Sequence, residues 1–119
     1  MSGGTSAAVG APARRSLRPD TVVVLCHDAP GSQSARKSAS QAHLRWVESM
    51  LERIALAGPL YSDDGERMIG SLYVFKTTSL AEARAWLESD PYYAAGIWAE
   101  IRFRPFLPAA GELVGGTLW

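Results

Sequence analysis

Ile97-Trp98-Ala99-Glu100-Ile101-Arg102-Phe103-Arg104 alternates apolar side chains with a tryptophan and a row of charges. A strand with one dry face and one wet face has that period of two, so the chain's regular pattern closes on a half-buried strand. The element before it is a helix. Ser79-Leu80-Ala81-Glu82 reads as a capping box, in which the serine oxygen accepts from first-turn amides and Glu82 reaches back to the Ser79 amide. Leu80, Ala83 and Leu87 then share a face, and Asp90-Pro91 stops the helix, because proline disfavours helical backbone at the preceding residue. Further upstream, Ala57-Gly58-Pro59-Leu60-Tyr61 and the strand pattern of residues 68–77 flank Ser62-Asp63-Asp64-Gly65, whose Asp-Gly step signals a hairpin.

Toward the N-terminus, residues 21–26, TVVVLC, form a β-branched apolar run suited to a strand buried on both faces. Turn chemistry from His27 to Gly31 closes it, and the serine-rich stretch through Ser40 reads as loop or a frayed helix start. From about Gln41 to Ala57, Leu44, Val47, Leu51 and Ile54 recur at spacings of three and four, opposite Arg45, Glu48, Glu52 and Arg53. That period predicts the first amphipathic helix there, with His43 at the edge of the apolar stripe and its imidazole facing inward or along a cleft. The order is therefore β-α-β-β-α-β, an α+β ferredoxin-like arrangement with both helices on one face of an antiparallel four-stranded sheet. The uncovered face must be charged, used for a ligand, or buried against a partner, and dimerisation is a common solution.

One domain, residues 20–108, accounts for this pattern. Residues 1–19 lack acids and any long apolar run and are expected to be a disordered tail; residues 109–119 are expected to be a C-terminal tail whose Leu118 and Trp119 dock. With 12 basic and 12 acidic residues, the zero net charge argues against nucleic acid. The aromatics that RNA-recognition modules carry on their first and third strands are missing in the expected pattern. Apolar runs are too short for a membrane span, so the expected setting is cytoplasmic, with no membrane partner. Cys26 is expected to be a buried structural thiol, and neither metal-ligand spacing nor a phosphate-binding glycine loop is present, so no metal and no cofactor are expected.

His43, Asp90 and several arginines remain as candidates for chemistry. By composition alone such a histidine is more often a packed residue, and an Asp before Pro more often a helix stop. A resemblance changes the weighting. Residues 22–28, Gln41-Ala42-His43-Leu44, Ala55-Leu56-Ala57-Gly58-Pro59-Leu60, Gly70-Ser71 and Ser89-Asp90-Pro91-Tyr92 resemble, in order and spacing, the YciI-like (YCII-related) family over roughly residues 21–107. The resemblance implies a homodimeric α/β barrel related to muconolactone isomerases, with His43 and Asp90 as the catalytic pair. One branch of that family acts on chlorinated hydroxymuconate in aromatic degradation.

An imidazole can take and return a proton near neutral pH, and a carboxylate on its other nitrogen fixes the tautomer and stabilises the cation. The expected function is cofactor-independent lyase or isomerase chemistry, dehalogenase-like, on a small carbonyl-containing, aromatic-derived metabolite. Arg36, at a basic position of relatives, is a candidate for a substrate carboxylate, and Ser71 and Tyr92 for the pocket wall; Tyr73 and Trp98 are further aromatics that could line it. Ser40 stands where relatives often carry an arginine, which weakens the case for a dicarboxylate substrate. Two other readings stay open: a non-catalytic dimeric module that binds a ligand or partner, and a haem-handling or quinone-forming monooxygenase on the same fold.

Overall fold

The computed structural model describes residues 17–119. Most of the expected N-terminal tail, residues 1–16, lies outside the described residues. Four strands form one antiparallel sheet: β1 (Thr21–Asp28), β2 (Ile54–Tyr61), β3 (Met68–Phe75) and β4 (Trp98–Phe106), in the order β2-β3-β1-β4. Between them run α1 (Gln33–Ser49), α2 (Leu80–Glu88) and a short α3 (Pro91–Ala94). The fold is the α+β ferredoxin-like one, with its four-stranded antiparallel sheet. Val22, Val24 and Cys26 from β1, Tyr73 and Phe75 from β3, and Ala83 and Leu87 from α2 make the buried core. Cross-strand register puts Val24 opposite Tyr73 and Cys26 opposite Ser71, so these side chains share the helix-covered face. Leu25 opposes Leu72 on one side and Arg102 on the other, on the face that the helices leave bare.

Four local expectations need correction. The first helix starts and ends about two turns earlier than its apolar period suggested. Ala35, Arg36, Ala39, Ser40, Ala42, His43, Trp46 and Val47 are its buried or half-buried side, recurring at helical spacing, so a face rich in small and polar residues turns inward. Leu51 sits instead in a 3-10 turn, Leu51–Arg53, and Ile54 opens β2. Second, Leu44 is exposed, because α1 is rotated to bury Arg36 and His43 rather than the leucine stripe.

Third, Trp98 leaves the charged row. Asp28 pairs with Trp98 while His27 pairs with Glu100, so Ala99 is an extra residue in β4. Such a bulge reverses the side-chain parity, and Trp98 packs on the core with Ile101 and Phe103. Fourth, the Ser79 hydroxyl accepts from the Glu82 amide at 3.0 Å as expected, but Glu82 Oε1 meets the Thr77 hydroxyl at 2.6 Å instead of the Ser79 amide. The Ser79 amide donates to Thr77 Oγ1 at 3.1 Å, so threonine closes the box. Beyond β4, β5 (Ala110–Gly111) and β6 (Gly116–Thr117) pair as a small hairpin, and Leu118 and Trp119 remain exposed.

Candidate active site

Asp90 and Tyr92 enter the site through a local device. Asp90 is the N-cap of α3: its extended backbone and its Oδ1, 2.9 Å from the Tyr92 amide, start a helix at Pro91, where a missing N–H costs nothing. The aspartate just after the Ser89 cap of α2 therefore begins α3, and the tight turn drives its carboxylate inward until the residue is 1 % exposed.

A buried carboxylate needs donors for its lone pairs. Asp90 has them. The Tyr73 hydroxyl donates to Oδ2 at 2.6 Å, the Tyr92 amide to Oδ1, and His43 Nδ1 lies 2.9 Å from Oδ1 and 3.0 Å from Oδ2. Since both oxygens already act as acceptors, the neutral imidazole carries its proton on Nδ1 and keeps a lone pair on Nε2. The surroundings favour that assignment. Burial, then the charge and hydrogen bond of Asp90, raise the Tyr73 phenol far above its ordinary range, so it remains a donor. Burial first, then the nearby Asp90 and Asp28 carboxylates, push the Cys26 thiol up to about 12, which leaves it neutral.

His43 also belongs to a stack. Its ring lies 3.9 Å from the Tyr92 ring at 9° between planes, and the Arg36 guanidinium carbon is 4.9 Å from the centre of that same ring. Arg36 and His43 are seven positions apart on α1, or about 10.5 Å along its axis. Tyr92 lies in the gap between them. Arg36 is itself pinned: Nε and Nη2 donate to Asp28 at 2.8 and 3.0 Å, and Nη2 also reaches Gly70 O at 3.0 Å and Ser71 Oγ at 3.1 Å. Nη1 faces only Met68 Sδ, at 3.6 Å. A ligand oxygen would therefore meet Nη1, and would find a cation whose charge Asp28 already balances.

A cavity of about 220 Å³ opens against these groups, with Arg36, His43, Ser71, Tyr73 and Tyr92 on one side and apolar Leu44, Val47 and Pro59 on the other. It lies between α1 and the β2–β3 edge of the sheet. Ser40 contributes no donor to it, because its hydroxyl bonds back to Lys37 O at 2.9 Å. The structure thus brings His43, Asp90, Arg36, Ser71 and Tyr92 together at one place.

Two residues of the site were not singled out for these roles in the sequence. Asp28 reads as a turn residue, yet it continues the period of two through Val22, Val24 and Cys26, and that period puts it on the helix side. Tyr73 shares its parity with Ser71 and Phe75 in the same way. Among the described residues no group of three His, Cys, Asp or Glu side chains is placed to hold a metal ion. No described helix is long and apolar enough to cross a membrane.

Residues 21–107 match the model of the YCII-related domain. The chain belongs to the YCII-related family. Protein YciI of Escherichia coli O6:H1 is 31 % identical over 91 residues, spanning 71 % of this chain and 93 % of the relative. An uncharacterised protein of Haemophilus influenzae is 28 % identical over 91 residues, with the same coverage of both chains. Among solved structures, the 5-chloro-2-hydroxyhydroquinone dehydrochlorinase TftG of Burkholderia phenoliruptrix AC1100, in complex with 2,5-dihydroxybenzoquinone, superposes with a TM-score of 0.67. That similarity carries 26 % sequence identity and covers 77 % of this chain and 96 % of TftG. The chlorinated compound in TftG's name is a hydroxyhydroquinone.

Proposed function

We propose that this YCII-related protein performs cofactor-independent acid–base chemistry, of the lyase or isomerase kind, on a small oxygenated ring or carbonyl compound. His43 Nε2 takes a proton from a ring hydroxyl or from a carbon next to a carbonyl, and returns it elsewhere on the same molecule. Asp90 holds the ring and stabilises the imidazolium while the proton is aboard. When the substrate carries chloride, returning the proton to the chlorinated ring carbon makes that carbon tetrahedral. Chloride then leaves with the bonding pair as a hydroxyl proton is lost, and the products are a quinone and HCl, with no external oxidant.

The observation that carries this reading is the buried Asp90 carboxylate on His43 Nδ1, which leaves Nε2 unbonded to it on a ring that lines the cavity. A volume of about 220 Å³ suits a single substituted ring. The dehydrochlorinase activity in TftG's name makes hydroxylated, chlorinated rings the first substrates to try. The same reading takes the protein as a cytoplasmic homodimer that pairs through the bare face of the sheet.

The test is chloride release from 5-chloro-2-hydroxyhydroquinone and related ring compounds by the wild type, His43→Ala and Asp90→Asn. His43→Ala should lose about 10²-fold or more in kcat/KM, and Asp90→Asn a smaller factor. Undiminished turnover in His43→Ala would remove the histidine from the chemistry. Tight binding of 2,5-dihydroxybenzoquinone without turnover of any ring compound would favour the binding module.

A further inference from the structure

We propose that Tyr73 is a positioning residue that sets the proton affinity of the His43–Asp90 pair, through the hydrogen bond its hydroxyl donates to Asp90 Oδ2. The proposal rests on the reading of His43 as the acid–base group, and its test reads the imidazole directly.

The geometry makes the two donors compete. Oδ2 receives Tyr73 O–H at 2.6 Å and His43 Nδ1 at 3.0 Å, so both draw on the charge of one oxygen. Oδ1 is shared in the same way between the Tyr92 amide and His43. Charge-assisted O–H bonds of this length are strong, and Tyr73 is 2 % exposed, so little water can replace its hydroxyl. What the phenol takes from the carboxylate is lost to the imidazolium. The imidazole therefore shares its carboxylate with a phenol as well as with the Tyr92 amide.

The other charged or titratable groups around the ring are accounted for. From α1, Arg36 stands on the far side of Tyr92 and is paired with Asp28 of β1. From β1, the Cys26 thiol is neutral. From α3, Tyr92 presents its ring face. Trp46 of α1, the next aromatic along the stack at 6.1 Å, carries no charge and donates to Ser89 Oγ. Asp90 is therefore the charge that faces His43, and Tyr73 the side chain that modulates it.

The experiment is a proton NMR titration of His43 in the full chain, with the exposed His27 removed by His27→Asn so that a single imidazole is read. Tyr73→Phe should raise the His43 midpoint by about half a unit to one unit. Site-specific 3-fluorotyrosine at position 73, a stronger donor of nearly the same size, should lower it. If substrate turnover is found, its pH profile should move with the midpoint in both variants. A merely structural tyrosine would change the melting temperature and leave the midpoint in place. Unchanged midpoints, or shifts of the same sign in both variants, would overturn the proposal whether or not the protein turns over a ring compound. Should Tyr73→Phe fail to fold, the fluorotyrosine shift alone decides.

Discussion

Asp28→Ala isolates the strongest polar contact behind the cavity. Arg36 and Asp28 side chains are each only 8 % exposed and meet through paired N–H···O bonds of 2.8 and 3.0 Å. Removing one partner of a buried pair leaves the other charge uncompensated, at a cost of about 3–5 kcal/mol. Gly70 O and Ser71 Oγ would still accept from Nη2, so the lower end, about 3 kcal/mol, is expected. For a domain of this size that lowers the melting temperature by about 12–24 °C. Circular dichroism melts of the wild type, Asp28→Ala, Arg36→Met and the double variant form the cycle. In the Arg36→Met background, Asp28→Ala should cost less than about 1 kcal/mol, because no buried charge is left exposed to the loss. A single variant that melts within a few degrees of wild type, or a cycle whose losses simply add, would refute the claim that the pair acts as one unit.

Two further outcomes test the frame around the site. A Cβ on Gly70 would lie 2.3 Å from the Cys26 carbonyl oxygen, so Gly70→Ala must push β1 and β3 apart; urea denaturation should show a loss of about 2 kcal/mol or more. Burial pushes the Cys26 thiol up to about 12 in the folded chain, from 9.0 for a free thiol. Above that lower value the unfolded chain has given up a proton that the folded chain keeps, so this contribution to stability is whole below pH 9 and is lost as pH rises toward 12. Between pH 7 and pH 10 the wild type should therefore lose about 1.4 kcal/mol more stability than Cys26→Ala in urea denaturation, and equal losses would contradict the burial.

The order of strands and helices was legible because four of the elements carry their own period: the β-branched run of β1, the Asp-Gly hairpin, the Ser79 cap and the alternation of β4. The position of α1 was not. Its inward face contains Ala35, Arg36, Ala39, Ser40 and His43, and a pattern search that rewards leucines passes over it in favour of Leu51 and Ile54, which serve other elements. Arg36 turns inward because Asp28, Gly70 O and Ser71 wait for it, and those partners come from two strands distant in sequence. The bulge at Ala99 was hidden for a related reason, since register is a property of a pair of strands and one strand alone does not state it. His43 and Asp90 were named through family resemblance. Spacing alone could not have joined residues that meet only when the Asp90 turn packs onto α1.

The Tyr92 wedge makes α1 a ruler. Arg36 and His43 must grip one ring from two sides, so the site depends on how many residues separate them. Which residues those are matters less, since Lys37 and Ser38 are exposed. Exchanging these for other helix formers leaves the spacing intact. Deleting either one turns His43 by about 100° around the helix and draws it about 1.5 Å closer to Arg36. The imidazole then leaves the carboxylate and the ring closes on nothing. This segment is tolerant of spelling and intolerant of length.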